Sequence, residues 1–309
     1  MASVVTPLNT SISSNTPFPV DLECDQKSQS AITAMVHNKA LEGLLLEAPT
    51  PLDKARIIAN QCPRSSMHIA ILPTRGVTFS NSEMVTLIKL RLGLDIYRHQ
   101  GVCPKCKSTV SDVKGNHALT CLGDIDKIAI LNNIAATIGR EFLAANYLTR
   151  FEVSNLKLSP HTNDRPADLY VYEYERHLGA AFDVTNHSPT AFHNINGTLH
   201  GPRQDSIAAM PNYAAAVAEQ SKFSRYAHLN ARHIIRPLCF QSNGGWSEIT
   251  QNVLHRCAQR SFKGRNISIN KNLKQITEKI AFTHMRVIAN AVNARDPVRY
   301  THNYNVNYV

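Results

Sequence analysis

Two neighbouring segments that each carry an aspartate constrain this chain more than any other stretch of its sequence. Residues 168–174 are bulky and β-prone, and residues 179–185 are small and mostly apolar. Fourteen residues separate Asp168 from Asp183, a spacing that suits a hairpin of two strands of about five to seven residues. The pairing predicts that both carboxylates lie at the same end of one sheet.

Two carboxylates at one end of a sheet favour a bound cation. Set a few ångströms apart, Asp168 and Asp183 repel each other unless positive charge lies between them. Hard oxygen ligands of this kind suit Mg²⁺. A divalent cation held in this way is the minimum equipment for metal-assisted cleavage of a phosphodiester.

The charge balance favours a polyanionic partner. The chain has 33 Lys and Arg residues against 23 Asp and Glu residues, a formal net charge of +10. Nucleic acid is the commonest polyanion that basic proteins bind, although many soluble proteins are basic for no specific reason. With 309 residues, 43% of them hydrophobic, the chain is long enough for one large or two modest domains with a core.

Hydropathy and the N-terminal residues predict the compartment. No run approaches the roughly eighteen apolar residues of a membrane span, and residues 1–10 lack the basic region and apolar run of a signal peptide. We therefore expect a nuclear or cytoplasmic protein with no membrane partner. In that setting cysteines are thiols or metal ligands rather than disulfides. Four scattered cysteines are interpreted as structural: Cys24, Cys62, Cys239 and Cys257.

Residues 101–122 carry the pattern of a zinc site. Cys103 and Cys106 are followed by His117 and Cys121 in a C-x2-C-x10-H-x3-C spacing. The Cys-x-x-Cys turn presents two thiolates, and the other two donors lie one helical turn apart, which completes a tetrahedron for Zn²⁺. The basic residues nearby are Lys105, Lys107 and Lys114. The spacing leaves open whether the zinc only stabilises a loop or belongs to a nucleic-acid-binding knuckle.

Helical periodicity surrounds the candidate sheet. The pattern predicts helices over residues 28–48, 51–60, 125–147, 211–230, 247–260 and 272–293. Ser80 and Glu83 have the spacing of a capping box at the start of another helix. In the first of these helices the apolar side chains are expected to share one face.

Two further strands are expected to complete the sheet. Residues 151–153 predict its first strand, and residues 233–240 predict its last. Pro237 within the latter indicates an edge position or a bulge. Residues 186–204 are rich in His, Gly and Pro, and they are interpreted as a loop.

The predicted helix 211–230 carries a polar face. Glu219, Lys222 and Tyr226 fall at i, i+3 and i+7, which places them on one side of the helix. In the plainer interpretation, Glu219 and Lys222 form a weak solvent-exposed pair. Alternation along a half-covered strand is likewise the plainer explanation of three tyrosines that could stack on bases: Tyr170, Tyr172 and Tyr174.

The order of these motifs resembles a known family. A zinc knuckle, a helix, the sequence Arg165-Pro166-Ala167-Asp168 and a second acid resemble the restriction-endonuclease-like domain of site-specific non-LTR retrotransposons. Such domains belong to the PD-(D/E)XK nuclease superfamily. Residues 90–94 and 115–121 also resemble the C-terminal region of retroelement reverse-transcriptase polyproteins. The resemblance covers about residues 35–245.

The resemblance assigns roles to individual residues. Asp168 matches the first aspartate of the family, and Asp183 matches the second acid. The family's lysine normally lies two residues past the second acid, where this chain has Thr185. Lys222, with Tyr226 one turn later, is similar to the form in which that lysine has moved to the following helix.

The resemblance also implies a fold and an activity. The fold is an α/β PD-(D/E)XK nuclease-like mixed sheet flanked by helices, with an N-terminal helical segment and a zinc knuckle. The activity is Mg²⁺- or Mn²⁺-dependent endonuclease cleavage of DNA, in which target-site nicking leaves a 3′-hydroxyl that primes reverse transcription of an RNA template. Glu152, at the start of the sheet, is a candidate third acid, and Glu141 is its rival.

In these terms the sequence divides into five segments. They are a flexible tail (1–27), a helical segment (28–100), the CCHC zinc knuckle (101–122), the restriction-endonuclease-like domain (123–260), and a C-terminal basic stretch with a helix (261–309). Two other functions stay open: a non-catalytic zinc-knuckle protein that binds nucleic acid through a decayed nuclease domain, and a protein-interaction scaffold. No Tyr-x-Asp-Asp polymerase motif is present, so reverse transcription by this chain is not predicted.

Overall fold

The chain divides into two compact units, residues 1–47 and residues 48–309. The structure, a computed structural model, describes residues 26–71, 73–74, 76–121, 124–151, 167–175, 178–191, 193–195, 211–227, 234–262 and 268–298. In this part of the chain no helix has both the length and the apolar character that crossing a membrane requires.

The first unit contains helix α1, Gln26–Glu47, which confirms the helix predicted over residues 28–48. Its apolar side chains do not form a buried face. Met35, Val36, Leu44 and Leu46 are each more than half exposed.

Local sequence signals account for the helix boundaries of the second unit. These helices are α2 (Pro51–Ala59), α3 (Met67–Ala70), α4 (Asn81–Leu92), α5 (Asn116–Thr120), α6 (Asp124–Ala144), α7 (Tyr213–Tyr226), α8 (Glu248–Phe262) and α9 (Ile269–Asn293). Thr50 caps α2 by accepting from a backbone amide, and Pro51 occupies its first turn. The capping box predicted at Ser80 and Glu83 is present at the start of α4.

The main sheet has the strand order β3-β4-β5-β6. Its strands are β3 (Thr149–Phe151), β4 (Leu169–Glu175), β5 (Leu178–His187) and β6 (Ile234–Gln241), while β1 (Gly101–Val102) and β2 (Val110–Ser111) form a separate small hairpin. The β3-β4 and β4-β5 pairs are antiparallel, which confirms the predicted hairpin, and β5 and β6 are parallel. Pro237 lies on the edge strand β6, in register with Asp183.

The two faces of the sheet are covered by different helices. Phe182, Val184 and Leu238 belong to the main hydrophobic core, together with side chains of α6, α8 and α9. The alternate residues of the same strands point to the opposite face, where α7 packs against β5 and β6. Ala181 there packs with Tyr226 of α7.

A bulge in β4 overturns the simple alternation expected for the three tyrosines. The register of β4 with β5 shifts between Val171 and Glu175, and Glu173 has a positive φ of 49°. Tyr170 and Tyr172 therefore lie on the α7 face, whereas Tyr174 packs in the main core against the ring of Phe182. The extra residue moves Tyr174 to the other side of the sheet.

Strand β5 is longer than the sequence indicated. The interpretation of residues 186–204 as a loop is wrong at its start, because β5 continues through Asn186 and His187. The amide of Asn186 donates to the Ser242 hydroxyl (3.1 Å), and its Oδ1 lies 2.9 Å from Nε2 of the fully buried His284. Since an amide oxygen only accepts, Nε2 of His284 carries the proton.

Two histidines near this end of β5 are held neutral by burial. Burial lowers the pKa of His284 to about 3 and that of His68 to about 4, from the ordinary 6.5. Below pH 6.5 these two histidines become protonated in the unfolded chain. In the folded chain they stay neutral until the pH reaches their lower pKa values. The contribution of these histidines to the free energy of unfolding is therefore fully present above about pH 6.5 and decreases as the pH falls.

Replacing one of these histidines tests the effect. The His284→Gln variant keeps a donor for Asn186 and cannot be protonated, so its stability should fall less steeply below about pH 6.5. The expected difference in slope is at most about 1.4 kcal/mol per pH unit. Urea unfolding of both proteins at several pH values between 7.5 and 4.5 measures it, and parallel curves would contradict the assignment.

A matched pair of leucines tests the position of the main core. Leu238 on β6 has no exposed surface, whereas Leu148 is 67% exposed. Leu238→Ala should lower the free energy of unfolding by about 2–5 kcal/mol, because it removes buried methyl groups and leaves a cavity. Leu148→Ala should change it by no more than about 0.5 kcal/mol. Chemical denaturation of both variants checks the prediction, and equal losses would contradict the strand assignment.

Candidate functional site

The four predicted zinc ligands lie together. The donor atoms of Cys103, Cys106, His117 and Cys121 are all within 4.8 Å of one another. The Cys103 and Cys121 sulfurs are 3.9 Å apart, and Cys106 Sγ lies 3.5 Å from His117 Nε2. Usual Zn–S and Zn–N bond lengths give tetrahedral edges of about 3.8 Å and about 3.6 Å for these two pairs. The cluster could therefore bind a metal such as zinc.

Local backbone structure positions these donors. The amide of Cys103 donates to the carbonyl of Thr109 (2.9 Å), which closes the Cys-x-x-Cys turn within the β1-β2 hairpin. Asp112 accepts from the amide of His117 (2.7 Å) and thereby holds the first turn of α5. Cys121 follows directly after that helix, so one short helix presents two of the four donors.

The cluster is tied to the end of α9. Arg295 is fully buried, and its Nε donates to the carbonyl of Cys121 (2.8 Å). Tyr97, also buried, donates its hydroxyl to the carbonyl of Val292 (2.7 Å). The Arg295 bond joins the ligand-bearing segment to the end of α9, and the Tyr97 bond joins the residues before that segment to the same helix.

Electrostatics differ among the thiols. Hydrogen bonding to Ser108 lowers the pKa of Cys106 to about 5, while burial raises the pKa of Cys121 to about 12. A bound divalent cation would favour the thiolate at every one of these positions. Of the nearby lysines, Lys105 and Lys107 are exposed, whereas Lys114 forms an ion pair with Asp53 (3.2 Å).

A second group of polar side chains lies between the sheet and α7. Asp183 points from the middle of β5 towards α7 and is only 6% exposed. Oδ2 of Asp183 lies 2.7 Å from the ammonium of Lys222, whose side chain is 21% exposed. The small residues Ala215 and Ala218 pack on Cys239 and allow α7 to approach the sheet closely enough for this ion pair.

Asp168 is held against the same strand. Its amide donates to the carbonyl of Phe182 (3.0 Å), and its Oδ2 accepts from the amide of Val184 (2.7 Å). Asp168 therefore contacts β5 on both sides of Asp183. The structure brings the two predicted acids to neighbouring positions on adjacent chain segments.

Tyr226 completes this group. Its ring centre lies 5.9 Å from the Lys222 ammonium. Burial, together with the charge of Asp183 and a hydrogen bond to it, raises the pKa of Tyr226 to about 12. The phenol is therefore protonated at neutral pH and donates to Asp183. Burial and the charges of Glu219 and Asp183 also raise the pKa of Cys239, on β6.

Glu219 does not form the surface pair with Lys222 that the plainer interpretation expected. Lys222 pairs with Asp183 instead, and Glu219 is half-buried between α7 and the start of α8. Burial raises the pKa of Glu219, and the nearby Ser247 hydroxyl and Ile249 amide oppose that shift. The i, i+3, i+7 spacing predicted the face of α7 on which Glu219 and Lys222 lie, but it did not predict the group with which each of them interacts.

The two candidate third acids, Glu152 and Glu141, differ in what the structure describes of them. Glu152 lies outside the described residues. Glu141 is on α6, which packs on the face of the sheet opposite to α7, and it forms an ion pair with Lys279 (2.8 Å). Its carboxylate is therefore paired with Lys279 and not with Lys222, the partner of Asp183.

A cysteine substitution tests the cluster. Cys121→Ser should lower zinc affinity by more than the roughly 10- to 100-fold lost when only a supporting hydrogen bond is removed, because a thiolate ligand disappears. Metal content by elemental analysis and competition with a chelator measure the change. The control is Cys62→Ser, at a buried thiol outside the cluster, which should retain zinc. Equal zinc content in the two variants would contradict the ligand set.

Comparison with known proteins adds no relative. No protein-family model, no curated protein and no solved structure matches this chain. The chemistry of its own side chains is therefore the basis for assigning a function.

Proposed function

We propose that this protein is a metal-dependent DNA endonuclease, derived from a retroelement, that nicks its target. The observation that carries the proposal is the 2.7 Å approach of the Lys222 ammonium to Asp183, on the strand that also holds the Asp168 carboxylate. The family resemblance predicted that these three residues act together, although 39 positions separate Asp183 from Lys222 in the sequence.

The donor set suits Mg²⁺ or Mn²⁺. Asp168 and Asp183 supply hard oxygens from adjacent segments, and the backbone carbonyl of Val184 is a third candidate ligand. When bound, the cation lowers the pKa of a coordinated water and offsets negative charge on the phosphate being cleaved. The Lys222 ammonium meanwhile balances the charge of Asp183, which would otherwise be buried alone.

The protein residues have separable roles in this mechanism. Lys222 orients the attacking water or contacts the scissile phosphate, as an ammonium close to the acids can. Tyr226 remains protonated and donates to Asp183, so it positions that carboxylate. Asp168 is oriented by the amide of Val184, which leaves its carboxylate fixed beside β5.

The order of elements supports the nuclease assignment. A helix, α6, precedes three antiparallel strands, and α7 then leads to the parallel strand β6. This is the mixed sheet flanked by helices that the PD-(D/E)XK resemblance implies. Lys222 and Tyr226 lie on a helix that comes after the second acid in the chain, and the retrotransposon branch of that family also has its lysine on a helix after this acid.

A second candidate function is non-catalytic binding of nucleic acid. The observation that favours it is that Lys222 already neutralises Asp183, so the buried charge is satisfied without a metal. The net charge of +10 and the exposed lysines Lys105 and Lys107 beside the zinc cluster support contact with a polyanion in either case.

A nicking assay separates these functions. With Mg²⁺ and supercoiled or target-site DNA, Asp183→Asn should lower the cleavage rate by at least about 10²-fold, because it removes a metal ligand. The matched control, Asp95→Asn, changes an exposed aspartate and should cleave as the wild type does. Equal cleavage by all three proteins would eliminate the mechanism.

DNA binding in the same proteins distinguishes the alternatives. Tight, salt-sensitive binding with no metal-dependent cleavage by the wild type would favour the non-catalytic function. Absence of salt-sensitive binding would favour a protein-interaction scaffold. Thermal unfolding of Asp183→Asn shows that the variant is folded before its activity is compared.

A further inference from the structure

The face of the sheet that carries Asp183 extends beyond the strands on which α7 packs. Helix α7 packs against β5 and β6, whereas β3 and β4 pack against α6 on the opposite face. Side chains of β3 and β4 that point to the α7 side therefore lie at the margin of that helix. Two of them reach solvent, since Arg150 of β3 is exposed and Tyr172 of β4 is partly exposed.

The strand register directs Arg150 to the same side of the sheet as Asp183. Arg150 is in register with Tyr170 of β4, which lies on the α7 face. The next residue, Phe151, packs its ring on Gly139 of α6, so alternation along β3 turns Arg150 to the α7 face. Strands β3 and β5 are two strand spacings, roughly 10 Å, apart. Arg150 is therefore close enough to the acids to contact the same nucleic-acid strand.

Tyrosine rings link this margin to the candidate active site. The rings of Tyr172 and Tyr170 meet edge to face, with their centres 4.9 Å apart. Tyr170 packs in one cluster with Tyr226, the phenol of the candidate active site. A Cβ at Gly179 would collide with the Tyr170 hydroxyl, so the glycine allows the Tyr170 side chain to lie against the backbone of β5. The packed rings hold Tyr172 in a fixed position beside the acids.

A second exposed arginine lies beside the same row of rings. Arg225 is exposed on α7, and its charge opposes the rise in the pKa of Tyr226 that burial causes. Among the ion pairs between described residues, none includes Arg225 or Arg150. Both guanidinium groups are therefore available to the phosphates of a polyanion.

We propose that Arg150, Tyr172 and Arg225, here called the Tyr172 surface, bind a single strand of DNA next to the bond that is cleaved. The guanidinium groups contact backbone phosphates, and an unpaired base stacks on the exposed part of the Tyr172 ring. Proteins bind single strands by this combination of cationic groups and aromatic rings. Bases within a duplex are already stacked on both sides, so the ring favours a single strand. The proposal rests on the proposed function for its choice of ligand.

Substitution of Tyr172 tests the stacking contact. The anisotropy of a short fluorescent single strand, and of a duplex of the same sequence, measures binding in metal-free buffer without cleavage. Tyr172→Leu should weaken single-strand binding at least about fivefold and leave duplex binding unchanged, since only the unpaired base loses its stacking partner. Tyr172→Phe keeps the ring and should bind as the wild type does. Wild-type affinity in Tyr172→Leu, or an equal loss in both variants, would overturn the stacking assignment.

Salt dependence tests the two phosphate contacts. Arg150→Gln and Arg225→Gln should each lower the magnitude of the slope of log affinity against log salt concentration by about 0.7, because each contact releases counterions from the single strand. The control is Arg140→Gln, at an exposed arginine of α6 on the other side of the sheet, which should leave the slope unchanged. Slopes that equal the control's in both variants would refute the surface.

Together with the nicking assay, these measurements separate the two proposals. Single-strand binding that depends on Tyr172 and on both arginines, without any metal-dependent cleavage by the wild type, would refute the nuclease and leave the Tyr172 surface supported. Metal-dependent nicking by a wild type whose single-strand affinity none of the three substitutions changes would refute the surface and leave the nuclease supported.

Discussion

The contact between Asp183 and Lys222 determines how helix α7 can lie on the sheet. Asp183 projects from a central strand and is almost completely buried, so its charge requires a partner. Removing one member of a buried ion pair typically costs about 3–5 kcal/mol, because the other charge remains unsolvated. Alanines of α7 at the sheet allow the approach, and Lys222 supplies the charge. The geometry of the candidate active site therefore follows from satisfying a single carboxylate.

The parts of the structure that depend on local sequence were predictable. The hairpin of β4 and β5 follows from two adjacent β-prone segments, and the capping box of α4 follows from residues three positions apart. The zinc-ligand cluster follows from the spacing of its four donors, since a Cys-x-x-Cys turn and one helical turn each fix a pair. In these cases the relevant interactions lie within about twenty residues of chain, so periodicity and spacing contain the information.

The parts that depend on distant contacts were not predictable. Tyr174 moved to the other face because a single residue, Glu173, takes a positive φ and shifts the register, which no alternation pattern reveals. Glu219 reaches the start of α8 rather than Lys222, and Glu141 pairs with Lys279, because the packing of helices selects their partners. The bond from Arg295 to Cys121 spans 174 positions, and nothing in the zinc motif indicates it.

The surroundings of Asp168 bear on whether the ion pair is a complete structural unit or part of a metal site. A self-sufficient bridge between β5 and α7 needs only Asp183 and Lys222, whose charges cancel. Asp168 adds a second acid beside them, and its Oδ2 is fixed by the amide of Val184 rather than directed away to solvent. In the proposed function, this second carboxylate supplies the additional oxygen ligands that a divalent cation needs beside the ion pair.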